Sequence, residues 1–157
     1  MRNLTPIGFL LLILFLSISS FAQSKITTLN TEEIGTLNVS YLKLQQESSN
    51  KTDYAVYIIY KNQNYIYKQE SDTIRLNNMQ QLNQLISDLK EGLFIIDDDT
   101  KGNSFTGHGY ILEKNIGYTE NKFLSFVNKE KGIKTTLNKY FVNQLIEWLT
   151  LVPFGKG

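Results

Sequence analysis

The chemically capable side chains of the 157-residue chain gather between Asp97 and His108, in the run Asp97-Asp98-Asp99-Thr100-Lys101-Gly102 followed by Ser104 and Gly107-His108-Gly109. Asp97, Asp99 and Gly102 open as a calcium loop opens, with alternate carboxylates converging on a cation and a glycine at the sharp turn. Lys101 then stands at the third ligand position, and His108 where a bidentate glutamate belongs. Asp97 and Asp99 are thus a weak candidate metal pair, and a solvated loop is the plainer reading. Serine, histidine and aspartate are also the parts of a hydrolytic triad, but a triad acts only through convergence in space. Ser104 lies in Gly-Asn-Ser-Phe-Thr, without the Gly-x-Ser-x-Gly elbow, and His108 is expected to be exposed or capped at a strand entrance. Gly102, Gly107 and Gly109 make no phosphate loop, because no Gly-Lys-Ser/Thr closes the motif. Glu113 and Glu120 add carboxylates suited to sugar hydrolysis, with nothing in their surroundings to single out a pair. No catalytic residue and no cofactor is expected.

Tyrosine is the more distinctive resource. Residues 54–60 (YAVYIIY) and 65–68 (YIYK) read as a hairpin turning at 61–64, with Tyr60 opposite Tyr65 and Ile58 opposite Tyr67. One face then carries Tyr54, Val56, Ile58, Tyr60, Tyr65 and Tyr67; the other carries Ala55, Tyr57, Ile59 and Ile66, with Lys68 and Glu70. The sequence does not fix which face the helices cover. If the tyrosine-rich face is open, Tyr54, Tyr60, Tyr65 and Tyr67 offer rigid amphipathic area to a protein or glycan. If it is covered, they are sheet-forming core residues with hydroxyls at the rim.

These residues need a scaffold, and hydrophobic period supplies its outline. Strands are expected at 37–44, 54–60 and 65–68 (the last continuing through Ile74 and Leu76), at 93–96, 110–112, 116–119 and 123–127, and at 133–137 after a turn at Lys131-Gly132. A helix is expected from Asn77 or Asn78 as cap, through Met79, Leu82, Leu85, Ile86 and Leu89, to a stop at Gly92. A second follows Asn138, along Phe141, Val142, Leu145, Ile146, Trp148 and Leu149, with Pro153 beyond its end. The two helices share five of eight residues at an offset of 60, LNQLISDL against VNQLIEWL. An internal duplication into two meander-plus-helix units is one reading of that match; chance similarity of amphipathic helices is the other. Both give an α+β fold, an antiparallel meander sheet with two helices on one face.

The start of the chain reads as an address. Arg2, the apolar run 7–16 (IGFLLLILFL), and small residues at Ser20 and Ala22 have the layout of a secretory signal cleaved between Ala22 and Gln23. Residues 1–22 are then signal, 23–33 a flexible lead-in, 34–152 one α+β domain and 153–157 a tail. No further segment is long and apolar enough to span a bilayer. Cleavage removes Arg2, so Lys+Arg falls from 16 to 15, equal to Asp+Glu at 15. A neutral chain has no electrostatic pull toward nucleic acid. The absence of cysteine excludes thiolate zinc, iron–sulfur and cysteine nucleophiles, and a single histidine excludes a multi-imidazole site in one chain. The expectation is a small exported binding protein of a bacterial envelope or medium, periplasmic or extracellular, without catalytic function. Its partner is a protein, as for an inhibitor, immunity or accessory factor. The alternatives are a glycan- or small-ligand-binding module, a hydrolase using His108 and the acidic loop, or a structural envelope component.

Overall fold

The computed structural model describes residues 24–46, 51–63, 70–97, 104–116 and 122–154. Its elements run β1 (Ser24–Ile34), β2 (Leu37–Gln46), β3 (Thr52–Lys61), β4 (Ser71–Leu76), α1 (Met79–Asp97), β5 (Ser104–Gly107), β6 (Tyr110–Ile116), β7 (Lys122–Asn128), β8 (Ile133–Leu137) and α2 (Lys139–Leu151). The fold is α+β, and its strands form two four-stranded antiparallel meanders, β1-β2-β3-β4 and β5-β6-β7-β8. Each meander is followed by a helix.

The repetition reaches single residues. Asn78 and Asn138 cap the two helices alike, each side-chain oxygen accepting the amide three residues on, from Gln81 at 2.9 Å and Phe141 at 3.0 Å. At the offset of 60, Leu82, Leu85, Asp88 and Leu89 in α1 and Val142, Leu145, Trp148 and Leu149 in α2 are all buried. The same helical stripe therefore faces the core in both halves.

The halves are not packed separately. Helix α1 follows the first sheet but lies against β5, β6 and β7 of the second, and beside α2. Contacts from the first sheet run forward in turn: Tyr60 stacks on Phe126 at 6.0 Å, and Tyr41 packs on Phe154 and donates to the Pro153 carbonyl. Strand β8 abuts the end of β3. There Gln63 N–H donates to the Lys134 carbonyl, and Gln63 Oε1 accepts from Thr136 N–H. Thr36 and Thr135 share a hydroxyl bond of 2.6 Å. One core joins all these elements, from Ile34 to Val152.

Four expectations are corrected. Residues 24–34 form a strand rather than a lead-in, registered against β2 from Ser24↔Gln46 to Ile34↔Leu37. Ten of its eleven residues are exposed, so burial imprints no period on its sequence. Gly92 does not end α1. A Cβ there would fall 2.8 Å from Leu124, so the glycine admits β7 to the helix, which runs on through 93–96 to Asp97. Tyr60 faces Asp72 and Ile58 faces Ile74, where Tyr65 and Tyr67 were expected, so β3 pairs with 71–76; Tyr65 and Tyr67 lie outside the described residues. Pro153 and Phe154 belong to the packed structure rather than to a loose tail, as Tyr41 holds both. Strand β5 is an element the sequence did not reveal.

Candidate functional site

Alternation along β3 decides what the tyrosines can do. Val56, Ile58 and Tyr60 point into the core, and Tyr60 is 1% exposed. Its hydroxyl donates to Asp72 Oδ2 at 3.0 Å. Tyr54, on the same face, is half-buried with its ring stacked on Tyr41 at 5.7 Å. The tyrosine-rich face is therefore the inward one.

Two buried tyrosine–aspartate pairs flank Phe126. Besides Tyr60, Tyr110 meets the Phe126 ring edge-on at 6.3 Å and donates to Asp88 Oδ2 at 2.6 Å. Gln84 Nε2 donates to the other Asp88 oxygen at 2.7 Å. Asp72 also accepts from Asn128 and Lys131, both at 2.7 Å, which ties β4 to the β7–β8 hairpin. Burial, reinforced by the neighbouring Asp72 carboxylate, pushes the Tyr60 phenol well above its ordinary range. Burial and the bond to Asp88 do the same to Tyr110. Burial alone would raise Asp72, but the bonds from Lys131, Asn128, Tyr60 and the Thr73 amide outweigh it and hold the carboxyl below the usual range. These groups are satisfied and enclosed, an arrangement that locks packing. The buried Trp148 indole N–H, by contrast, has no hydrogen-bond partner among the described residues.

The Gly107-His108-Gly109 motif proves to be a tight turn between β5 and β6. A Cβ on Gly107 would sit 2.0 Å from Tyr110 Cζ, so the ring lies directly over the bare glycine. Gly109 takes φ 73°, the left-handed region that favours glycine. His108 is exposed at the tip, and Ser104 is exposed at the far end of β5 opposite Glu113. Four strand steps of about 3.3 Å separate Ser104 from His108 along the chain, beyond hydrogen-bond reach. Asp97 ends α1 and pairs with Lys139 of α2 at 2.8 Å; that bond holds its carboxyl below the usual range. Asp99 lies outside the described residues. Among the described residues no cluster of three or more His, Cys, Asp or Glu side chains could hold a metal ion. No described helix is long and apolar enough to cross a membrane.

The outer faces of the two sheets differ in arrangement. On the second sheet Asn115 donates to Ser125, Ser125 shares a bond with Thr136, and Lys129 pairs with Glu113; this polar row separates half-buried Phe123 from the Ile111↔Val127 pair on the same side. On the first sheet the outward residues include Ile26, Leu42, Leu44, Tyr57 and Ile59, with Ala55 fully buried among them, in cross-strand pairs such as Ile26↔Leu44 and Leu42↔Ala55. Ile26 is 62% exposed and Ile59 39%. Arg75 lies over the Tyr57 ring, 5.5 Å from its centroid. Lys61, Arg75, Glu33 and Asp53, all exposed, rim the patch with both signs of charge. This apolar stripe is the candidate contact surface. Tyr54 and Tyr60, the candidates drawn from the sequence, thus lie on the inward face of β3, and Tyr57 and Ile59 on its outer face. The chain matches no protein-family model, no curated protein and no solved structure.

Proposed function

We infer that the chain is a small exported, non-catalytic protein that binds another protein through the outer face of its first sheet. The observation that carries this reading is the stripe of Ile26, Leu42, Leu44, Tyr57 and Ile59, which no described element covers, on a four-stranded sheet. An apolar centre with an aromatic side chain and a mixed-charge rim is how protein contact surfaces are built. On the second sheet the outward Ile111, Val127 and Phe123 are split by the bonded row of Glu113, Ser125 and Thr136, which makes a less continuous apolar centre. A small ligand needs a concave site, which the depression lined by Glu33, Asn38, Ile59 and Lys61 at one end of this face would supply; the apolar stripe beyond it suits a protein. The N-terminal signal pattern supports an envelope or extracellular setting.

A crosslinked pull-down from the native envelope and medium tests the reading. One protein partner near one-to-one is expected, with capture falling about tenfold or more in Ile59→Lys and Tyr57→Ala. Equal capture by the variants, or binding to a glycan array alone, would remove the face or the partner class from the proposal. Mass spectrometry of the mature N-terminus should read Gln23; a retained Met1 would overturn export.

A further inference from the structure

Among the described residues, strand β1 leaves the outer edge of the first sheet open. It pairs there only with β2, and ten of its eleven residues are exposed, including Ile26 and Leu29. An open edge presents unpaired peptide groups, a template for another strand. We propose that a second copy of this chain occupies it, with two β1 strands pairing antiparallel about a two-fold axis between Thr28 and Leu29.

The bulge in β1 selects the register. Thr28 faces Leu42 but Asn30 faces Tyr41, so Leu29 is an extra residue and the side-chain alternation slips by one there. Lys25 and Thr27 before the bulge, and Asn30, Glu32 and Ile34 after it, consequently share the side of β2 that carries Tyr41 and Val39. Ile26, Thr28, Thr31 and Glu33 share the outer side. Directly opposed residues in an antiparallel ladder lie on the same side. Over the full length of the strand, two copies can therefore match only in registers that oppose a residue before the bulge with a same-side residue after it; registers within one half match over a few residues alone. Of these, one sets Lys25 against Glu32, Thr27 against Asn30 and Ile26 against Thr31. By symmetry it forms the Lys25–Glu32 pair twice. Shifting either strand by two residues loses both pairs. Neither side chain has an ion-pair partner among the described residues. The neutral charge balance of the cleaved chain sets no net repulsion against association. The pairing joins two first sheets edge to edge, and it stands whether or not their outer face binds another protein.

Sedimentation of the chain purified from an exporting host, over concentrations up to about 1 mM, reads the association. A reversible dimer is expected. Lys25→Glu or Glu32→Lys alone places like charges opposite each other twice and should weaken it about tenfold or more. The combined Lys25→Glu, Glu32→Lys chain should recover the affinity of the parent. Both positions are exposed, and circular dichroism checks that each variant keeps its fold. Because the chain has no cysteine, a mixture of Thr27→Cys and Asn30→Cys chains should crosslink, and either alone should not. A monomer at every concentration would overturn the proposal, as would a dimer indifferent to the swaps or one crosslinked by Thr27→Cys alone.

Discussion

At Gly107 the seat of the Tyr110 ring allows no side chain, so Gly107→Ala must displace the ring and break its bond to Asp88. The expected loss is about 2–4 kcal/mol, from overpacking together with a buried hydrogen bond, read by urea denaturation. Gly109→Ala meets no neighbouring atom and should cost only its left-handed strain, about 1 kcal/mol. His108→Ala, at the exposed tip, should stay within about 0.5 kcal/mol. The pH dependence follows from the buried pairs. A phenol whose folded pKa is raised stabilises the fold fully below its unfolded value near pH 10. Above that the unfolded chain ionises first and stability falls. Tyr60→Phe should flatten this alkaline limb. Asp72 has the opposite sign: its depressed carboxyl stabilises the fold above about pH 4, and that contribution drains away as pH falls through the lower folded value. The stability gap between the parent and Asp72→Asn should accordingly narrow on acidification below about pH 4. A gap constant with pH would show that Asp72 acts through shape alone.

At the scale of elements, removing either cap tests the repeated helix design. Asn78→Ala and Asn138→Ala should each cost about 1 kcal/mol in chemical denaturation. Asp97→Asn, which breaks only an exposed pair, should cost under about 0.5 kcal/mol and lose its effect in high salt. Both helices were legible because burial writes a three-to-four spacing along them, β2 and β8 because one buried face writes a period of two, and β3 because β-branched and aromatic residues crowd it. Where burial is absent the writing stops, as in β1. Gly92 misled because a glycine that ends a helix and one that lets a neighbouring strand approach have the same letter. Asp72 carries no mark in the sequence; its bonds from Tyr60, Asn128 and Lys131 and its place opposite Tyr60 in the β3 register come from tertiary packing. The choice of open face was not legible at all. It depends on α1 crossing to β5–β7, a tertiary fact with no local signature.

For the molecule as a whole, this crossing makes the two meanders one folding unit. Unfolding should be a single transition, with far-ultraviolet circular dichroism and Trp148 fluorescence giving the same midpoint. Two separated midpoints would show that the halves are independent domains. Residues 24–97 expressed alone should fail to fold, since α1 would lose the strands it covers, and Tyr41 and Tyr60 the residues they touch. The same interlocking dictates timing. During synthesis the first strands emerge long before Phe126, Pro153 and Phe154, the groups that cover Tyr60 and Tyr41. The leading half must stay open until Phe154 has arrived. That delay makes the early strands the segment most in need of shelter before the final helix docks.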